Sequence, residues 1–157
     1  MAAFEIGIPK GDYKNKDAVS RVIDYICRLD KPEQVGGMGV FPLYVEDMVN
    51  QFLAVKRIYH KEEGKQVFHI FISFEKSLGF TVDKVMEMGY EIAAYWGYDR
   101  QVMFAVHDDT QNIHIHMAIN TVAYTNGEYK AYYPIEDITE YVKPIVKRKI
   151  SSKWFGK

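Results

Sequence analysis

Three of the chain's five histidines fall within ten residues, in the segment His107-Asp-Asp-Thr-Gln-Asn-Ile-His114-Ile-His116-Met-Ala-Ile-Asn120. On a strand successive side chains point to opposite faces, so His114, His116, Ala118 and Asn120 share one side. Ile113, Ile115, Met117 and Ile119 fill the other. The pattern is a buried strand with a polar working face.

The preceding run, Gln101 to His107, also reads as a strand, and Asp108 to Asn112 is rich in turn formers. If the two strands pair as an antiparallel hairpin, a register that sets His107 opposite His114 also sets Ala105 opposite His116. Directly opposed residues share a face with Cβ atoms about 5 Å apart. Three imidazoles then converge on one side of a rigid sheet, with small Ala105 and Ala118 leaving room beside them. Neutral imidazole is the commonest protein metal ligand, and three of them with an open position describe a catalytic metal site. The alternative is a set of polar histidines on a solvated strand.

The rest of the chain must hold that hairpin. At 157 residues, 48% apolar and 15% aromatic, it is one domain, 1–157, with enough apolar side chains for a proper core. The single cysteine, Cys27, excludes a disulfide framework and a cysteine-rich zinc module, and fits a reducing cytoplasm. No secretory signal pattern opens the chain and no apolar run has the length of a membrane span, so no membrane insertion is expected. A net charge of −1 argues against coating DNA by bulk electrostatics. Yet six of the twenty basic residues follow Glu140, leaving 14 basic against 21 acidic residues before position 143. The basic segment from about 143 reads equally as a phosphate-binding arm or as a solvated helix end.

Phe4 to Ile8 fits a short strand, and Asp17 to Leu29 a helix with Val19, Val22, Ile23 and Ile26 on its apolar face. Gly36-Gly37-Met38-Gly39 and Pro42 read as a flexible loop, and Tyr44 to Tyr59 as a second helix. Gln66 to Phe74 alternates, with Phe68, Ile70, Ile72 and Phe74 on one face and His69, Phe71 and Ser73 on the other. A third helix follows from Val82 to about Trp96, ahead of the histidine hairpin. Asn126-Gly127 signals another hairpin turn, and a last helix from about Ile135 is interrupted by Pro144. Consecutive strands joined by tight turns and mixed with helices predict an α+β class, an antiparallel β-sheet flanked by α-helices.

The stretch from His107 to Thr121, His-x-Asp-Thr-x-x-x-His-x-His-x-x-x-Asn-Thr, resembles the metal motif of the relaxase/mobilisation nuclease family, the MobA/VirD2-like HUH endonucleases. Phe68-His69-Ile-Phe-Ile-Ser73-Phe74 resembles that family's His-Phe-x-x-Ser-Phe strand. Val22-Ile-Asp-Tyr25-Ile26, followed by Asp30-Lys31, resembles its N-terminal tyrosine motif. All three occur in the family's order. The resemblance implies a relaxase-like fold and nicking of single-stranded DNA at a transfer origin by Tyr25, which would join the 5′ phosphate and release a 3′ hydroxyl. A divalent metal on His107, His114 and His116 would polarise the phosphate. Mg²⁺ or Mn²⁺ is what the family implies, whereas three histidines without a carboxylate suit Zn²⁺, Ni²⁺, Co²⁺, copper or Mn²⁺ better.

Arg21 and Arg28 lie one helical turn from Tyr25, where they could favour phenolate or hold flanking phosphates. Without the family motif Tyr25 reads as an ordinary half-buried helix tyrosine, since tyrosines are abundant here and amphipathic. Asp109 matches the family's aspartate; it could accept the second ring N–H of a ligating histidine or cap the turn. Ser73 matches a position thought to touch the DNA backbone. Asn120 could orient a ligand or a phosphate, and His69 reads as a packed histidine hydrogen-bonded in the sheet. Accessory mobilisation proteins are further partners the resemblance implies. Two alternatives stay open: a replication-initiator or transposase type using Tyr141, in Tyr141-Val-Lys-Pro144 where those enzymes resemble Tyr-x-x-Lys, and a non-nuclease metalloprotein. Family members often run to several hundred residues, and Glu75-Lys-Ser-Leu-Gly79 lacks their Pro-Gly-Glu-like turn.

Overall fold

The computed structural model describes residues 3–28, 34–108 and 111–154. Five strands form one antiparallel sheet in the order β1-β3-β5-β4-β2. Along the chain these are β1 (Phe4–Gly7), α1 (Ala18–Ile26), β2 (Val35–Met38), α2 (Val45–Ile58), β3 (Val67–Phe74), α3 (Val82–Gly97), β4 (Val102–His107), β5 (His114–Asn120) and α4 (Ile135–Trp154). The fold is α+β, as the mixture of periodicities predicts.

The period-2 alternation of the central strands divides two cores. Phe68, Ile70, Ile72, Phe104, Ile115 and Met117 face α3 and α4, where Met88, Ile92, Trp96, Ile138 and Val142 meet them. On the opposite face Val67, Met103, Ala105 and Ala118 meet Val19, Ile23 and Ile26 of α1 and Met48 and Phe52 of α2. Every residue of β4 is buried, because both of its faces are covered. The α1–α2 side is the side on which the histidines stand, so those two helices decide how open the histidine cluster is. Helix α3 starts cleanly because the Thr81 hydroxyl accepts from the Lys84 amide at 3.2 Å, with Asp83 in the first turn.

Three expectations need correction. The glycine segment taken as a loop is the edge strand β2, with Gly36 opposite Phe104 and Gly37 opposite Met103. Glycine reads as loop when its neighbours are unknown. Here a Cβ on Gly36 would stand 2.5 Å from the Phe104 ring, so the missing side chain is what lets that ring fit beneath the strand. Pro144 does not interrupt α4, which is continuous through it. Ile138 and Val142 before the proline and Ile145 and Val146 after it are all buried against one core, which holds both halves in line.

The Asn126-Gly127 turn does form, with Gly127 at φ 76°, but its arms share only the bridge Val122–Tyr129. Backbone bonds from Ala123 to Glu128 at 2.9 Å and from Lys130 to Thr121 at 2.8 Å hold that bridge, and buried Arg100 adds to them by donating to the Thr121 carbonyl at 2.8 Å and to Glu128 at 2.7 Å.

Lys56 is 1% exposed on α2 and reaches the ends of β3 and β5. It donates to the Gln66 carbonyl at 2.7 Å, Asn120 Oδ1 at 2.8 Å and the Thr121 hydroxyl at 3.2 Å. All three acceptors are neutral, and burial pushes the ammonium pKa down to about 7. Lys56→Met is expected to destabilise the fold by about 1–3 kcal/mol in urea titration, since buried acceptors lose their donor. The unfolded lysine holds its proton to about pH 10.4 while the folded one releases it near 7. Stability of the parent relative to the variant should therefore rise as pH increases from 7 towards 10.

Candidate active site

The β4–β5 register is the predicted one: His107 opposes His114, and Ala105 opposes His116. The three rings converge with centroids 4.6 Å (His107–His116), 5.0 Å (His114–His116) and 5.2 Å (His107–His114) apart. Each can offer a nitrogen within 4.8 Å of the others. His107 and His116 are buried and His114 is half-buried, so the cluster opens to solvent past His114.

The second nitrogen of each ring has a partner that orients the first. His107 Nε2–H donates to the Ile26 carbonyl at 2.7 Å, which leaves the lone pair of the neutral ring on Nδ1. His114 Nδ1–H donates to the Asn112 carbonyl at 3.0 Å, so its lone pair is on Nε2. His116 Nδ1 lies 3.3 Å from His69 Nε2. Carbonyl partners of this kind characterise ligating histidines. Burial, reinforced by the positive charges of His107, His69, His114 and Arg28, pushes His116 down to about 3. Burial pushes His69 down to about 4. Both rings are thus neutral at pH 7, the form a metal requires. The donor set fits a divalent ion with part of its coordination sphere left for oxygen ligands.

Helix α1 forms because Ala18, Val19, Val22, Ile23 and Ile26 make one apolar stripe, which packs on the histidine face of the sheet. Tyr25 falls just off that stripe and is 44% exposed. Its ring stands edge-on to His116 with centroids 5.7 Å apart, and 6.1 Å from His69. The Arg28 guanidinium covers the same ring at 4.5 Å from its centroid. Tyr25 separates two clefts. One, of 460 Å³, is lined by Tyr25, Phe71, Ser73, Asn112, His114 and His116. The other, of 620 Å³, holds Lys10, Tyr13, Arg21 and His69 on the far side of Tyr25. Arg21 also sits 3.9 Å from Asp17 in an exposed ion pair. Lys10 and Arg21 line this second cleft together with Asp12, and Arg28 adds a positive charge against Tyr25.

Ser73 opposes His114 across β3 and β5 and so faces the first cleft. Asn120 does not. It shares the histidine parity but lies at the covered end of β5, wholly buried. Its amide donates to the Phe52 carbonyl at 3.1 Å and Gln101 Oε1 at 2.8 Å, while its oxygen accepts from Lys56. The expectation that it touches a phosphate is corrected: Asn120 ties α2 to the sheet. Asp109 and Thr110, and Asp30 and Lys31 of the tyrosine motif, lie outside the described residues.

Tyr141 is on the opposite face of the sheet from the histidines. Its hydroxyl donates to the Glu91 carbonyl at 2.9 Å and its ring packs 4.9 Å from Tyr95. Among the described residues of the basic C-terminal segment, Lys143 meets Glu140 at 3.0 Å, Arg148 meets Glu91 at 3.3 Å and Lys149 meets Glu87 at 2.7 Å, the last two partners on α3.

The model of the MobA/VirD2-like nuclease domain of relaxases matches residues 25–148. The chain belongs to this relaxase family. It is similar to Protein TraI of Escherichia coli, at 30% identity over 61% of this chain and 13% of that protein. The group II intron-interrupted relaxase LtrB of Lactococcus lactis subsp. cremoris is 25% identical over 73% of this chain and 25% of its own length. Protein rlx of Staphylococcus aureus is 28% identical over 72% of this chain and 33% of its own length. The chain thus spans at most about a third of these curated relatives. Among the described residues of this relaxase-family chain, no helix is long and apolar enough to cross a membrane.

Sequence reasoning did not reach Tyr13, whose hydroxyl lies 3.3 Å from His69 Nδ1. No spacing rule links it to the sheet. His69 was readable in part, since it shares strand parity with Ser73.

The depressed histidines make a pH prediction for the metal-free protein. Unfolded histidines take up protons from about pH 6.5 downward, whereas folded His69 and His116 resist until about 4 and 3. The stability these neutral rings contribute is present above pH 6.5 and is lost as pH falls through that window. The melting temperature measured by calorimetry should drop between pH 7 and pH 4.5, with a shallower slope in His69→Gln.

Proposed function

We propose that this domain nicks single-stranded DNA at an origin of transfer, with Tyr25 as the nucleophile. The observation that carries this reading is the edge-on approach of Tyr25 to His116 at 5.7 Å in a cleft it shares with His114 and Ser73. A scissile phosphate seated there would have the nucleophile on one side and the histidine centre on the other.

Tyr25 Oη would attack phosphorus, forming a tyrosine–5′-phosphate bond as the 3′ oxygen leaves and takes a proton to become the 3′ hydroxyl. Reversal of the same exchange reseals the strand. A phenol is protonated at neutral pH, so the phenolate must be favoured at the moment of attack. Arg28, against the Tyr25 ring, and Arg21 and Lys10 in the adjoining cleft offer positive charge for the attacked and flanking phosphates. Ser73 is assigned a hydrogen bond to the DNA backbone, and Asp109 the role of steadying a ligating histidine. His107, His114 and His116 would hold the divalent ion, Mg²⁺ or Mn²⁺ by family and Mn²⁺, Co²⁺, Ni²⁺ or Zn²⁺ by donor type. A bound ion there would polarise a phosphate oxygen and offset charge in the transition state.

In this reading the domain works in the cytoplasm, in mobilisation of a plasmid or integrative element, together with accessory mobilisation proteins. The core-facing hydroxyl of Tyr141 favours Tyr25 over it as the nucleophile.

Incubation with a broad pool of single-stranded oligonucleotides and Mn²⁺, followed by denaturing electrophoresis, tests the proposal. A covalent protein–DNA adduct is expected from the parent and from Tyr141→Phe, and none from Tyr25→Phe. An adduct that survives Tyr25→Phe would contradict the assignment. Tight metal binding with no adduct from any pool would favour the non-nuclease metalloprotein.

A further inference from the structure

His69 is 4% exposed and has no part in the chemistry above. It stands on β3 opposite Ala118, so its ring reaches diagonally across the sheet to His116 and not to a directly opposed partner. Its two nitrogens are both engaged, Nε2 with His116 Nδ1 and Nδ1 with the Tyr13 hydroxyl, each at 3.3 Å. Tyr13 is not there by default. It has φ 52°, in the left-handed region a bulky side chain rarely enters, and its carbonyl accepts from the Gln66 amide at 2.8 Å beside the start of β3. A strained residue tied to the same strand holds its hydroxyl against His69.

The centre needs such a partner at one position. His107 and His114 lie at strand ends, where the carbonyls of Ile26 and Asn112 are available to their second nitrogens. His116 lies mid-strand on β5, paired on both sides by β3 and β4. Backbone carbonyls around it point along the sheet into ladder bonds, so the acceptor for its ring must come from a side chain.

We propose that His69 is a positioning residue for the metal centre. It accepts the Nδ1–H of His116 and donates its own Nδ1–H to the Tyr13 hydroxyl, which aims His116 Nε2 at the point shared with His107 and His114. The inference rests on the three-histidine metal reading and deepens it. A neutral acceptor adds no charge, so a bound ion keeps its full positive charge for a phosphate; a carboxylate at the same place would offset part of it.

The test uses the full chain and Co²⁺ alone, whose visible absorption reports ligand number and geometry without DNA. His69→Phe removes the acceptor and keeps the ring. It should weaken Co²⁺ binding about 10- to 100-fold, the range for loss of such a partner, and change the spectrum. His69→Gln, whose amide oxygen can accept the same N–H, should restore most of the affinity and the parent spectrum. Tyr13→Phe should weaken binding by a smaller factor.

Parent-like affinity and spectrum in His69→Phe would overturn the proposal, as would a folded His69→Gln no better than His69→Phe. Should His69→Phe fail to fold, unchanged Co²⁺ affinity in Tyr13→Phe would overturn it, and weakened affinity would support it. A parent chain that binds no Co²⁺ would sink the metal reading and this proposal together. Intact Co²⁺ binding without DNA adducts would sink only the nuclease reading.

Discussion

The pairing of β4 with β5 is the constraint on which the rest depends. Side chains alternate along a strand, so a slip of one residue would turn all of the β5 histidines onto the α3–α4 side and push Ile115 and Met117 under α1. The register cannot drift, because Val106 and Ile115 on one face and Ala105 and Ala118 on the other each fill a defined core. The apolar residues between the histidines therefore do as much to build the centre as the histidines themselves. They fix which way the imidazoles point and hold them against a rigid sheet.

One hydrogen bond carries that rigidity outward. The Ile26 carbonyl, in the last turn of α1, accepts from His107. A helix's last carbonyls have no partner within the helix, so an acceptor is available there without disrupting the ladder. The same bond fixes the His107 tautomer and locks the end of α1 over the sheet. Tyr25, one residue earlier, inherits its position from that lock. Burial keeps His69 and His116 neutral, and it also limits access: His114 is the only one of the three ligand histidines facing open solvent. The opening beside it is where Tyr25 and Ser73 stand.

How much was legible follows from the range of each signal. The histidine register could be read because strand parity and a short turn are local, and two small alanines mark where bulky rings need room. The apolar faces of α1, α2 and α3 were readable for the same reason. What escaped depends on contacts distant in sequence. Gly36 and Gly37 look like a loop until the Phe104 ring is known to lie beneath them. Pro144 looks like a break until both halves of α4 are seen to bury apolar side chains in one core. Asn120 has the parity of a site residue, and only Lys56, sixty-four positions away, turns it into a structural one. Tyr13 reaches the centre through an unusual backbone angle that no residue pattern announces.

The central claim is that three histidines present one shared point, each through a particular nitrogen, beside Tyr25. Anomalous diffraction from crystals of this chain soaked in Mn²⁺ tests it most directly. The expected result is a single strong peak bonded to His107 Nδ1, His114 Nε2 and His116 Nε2, with the His107–Ile26 hydrogen bond intact. Manganese bound elsewhere, or bound to His107 through Nε2 with that bond broken, would contradict the account.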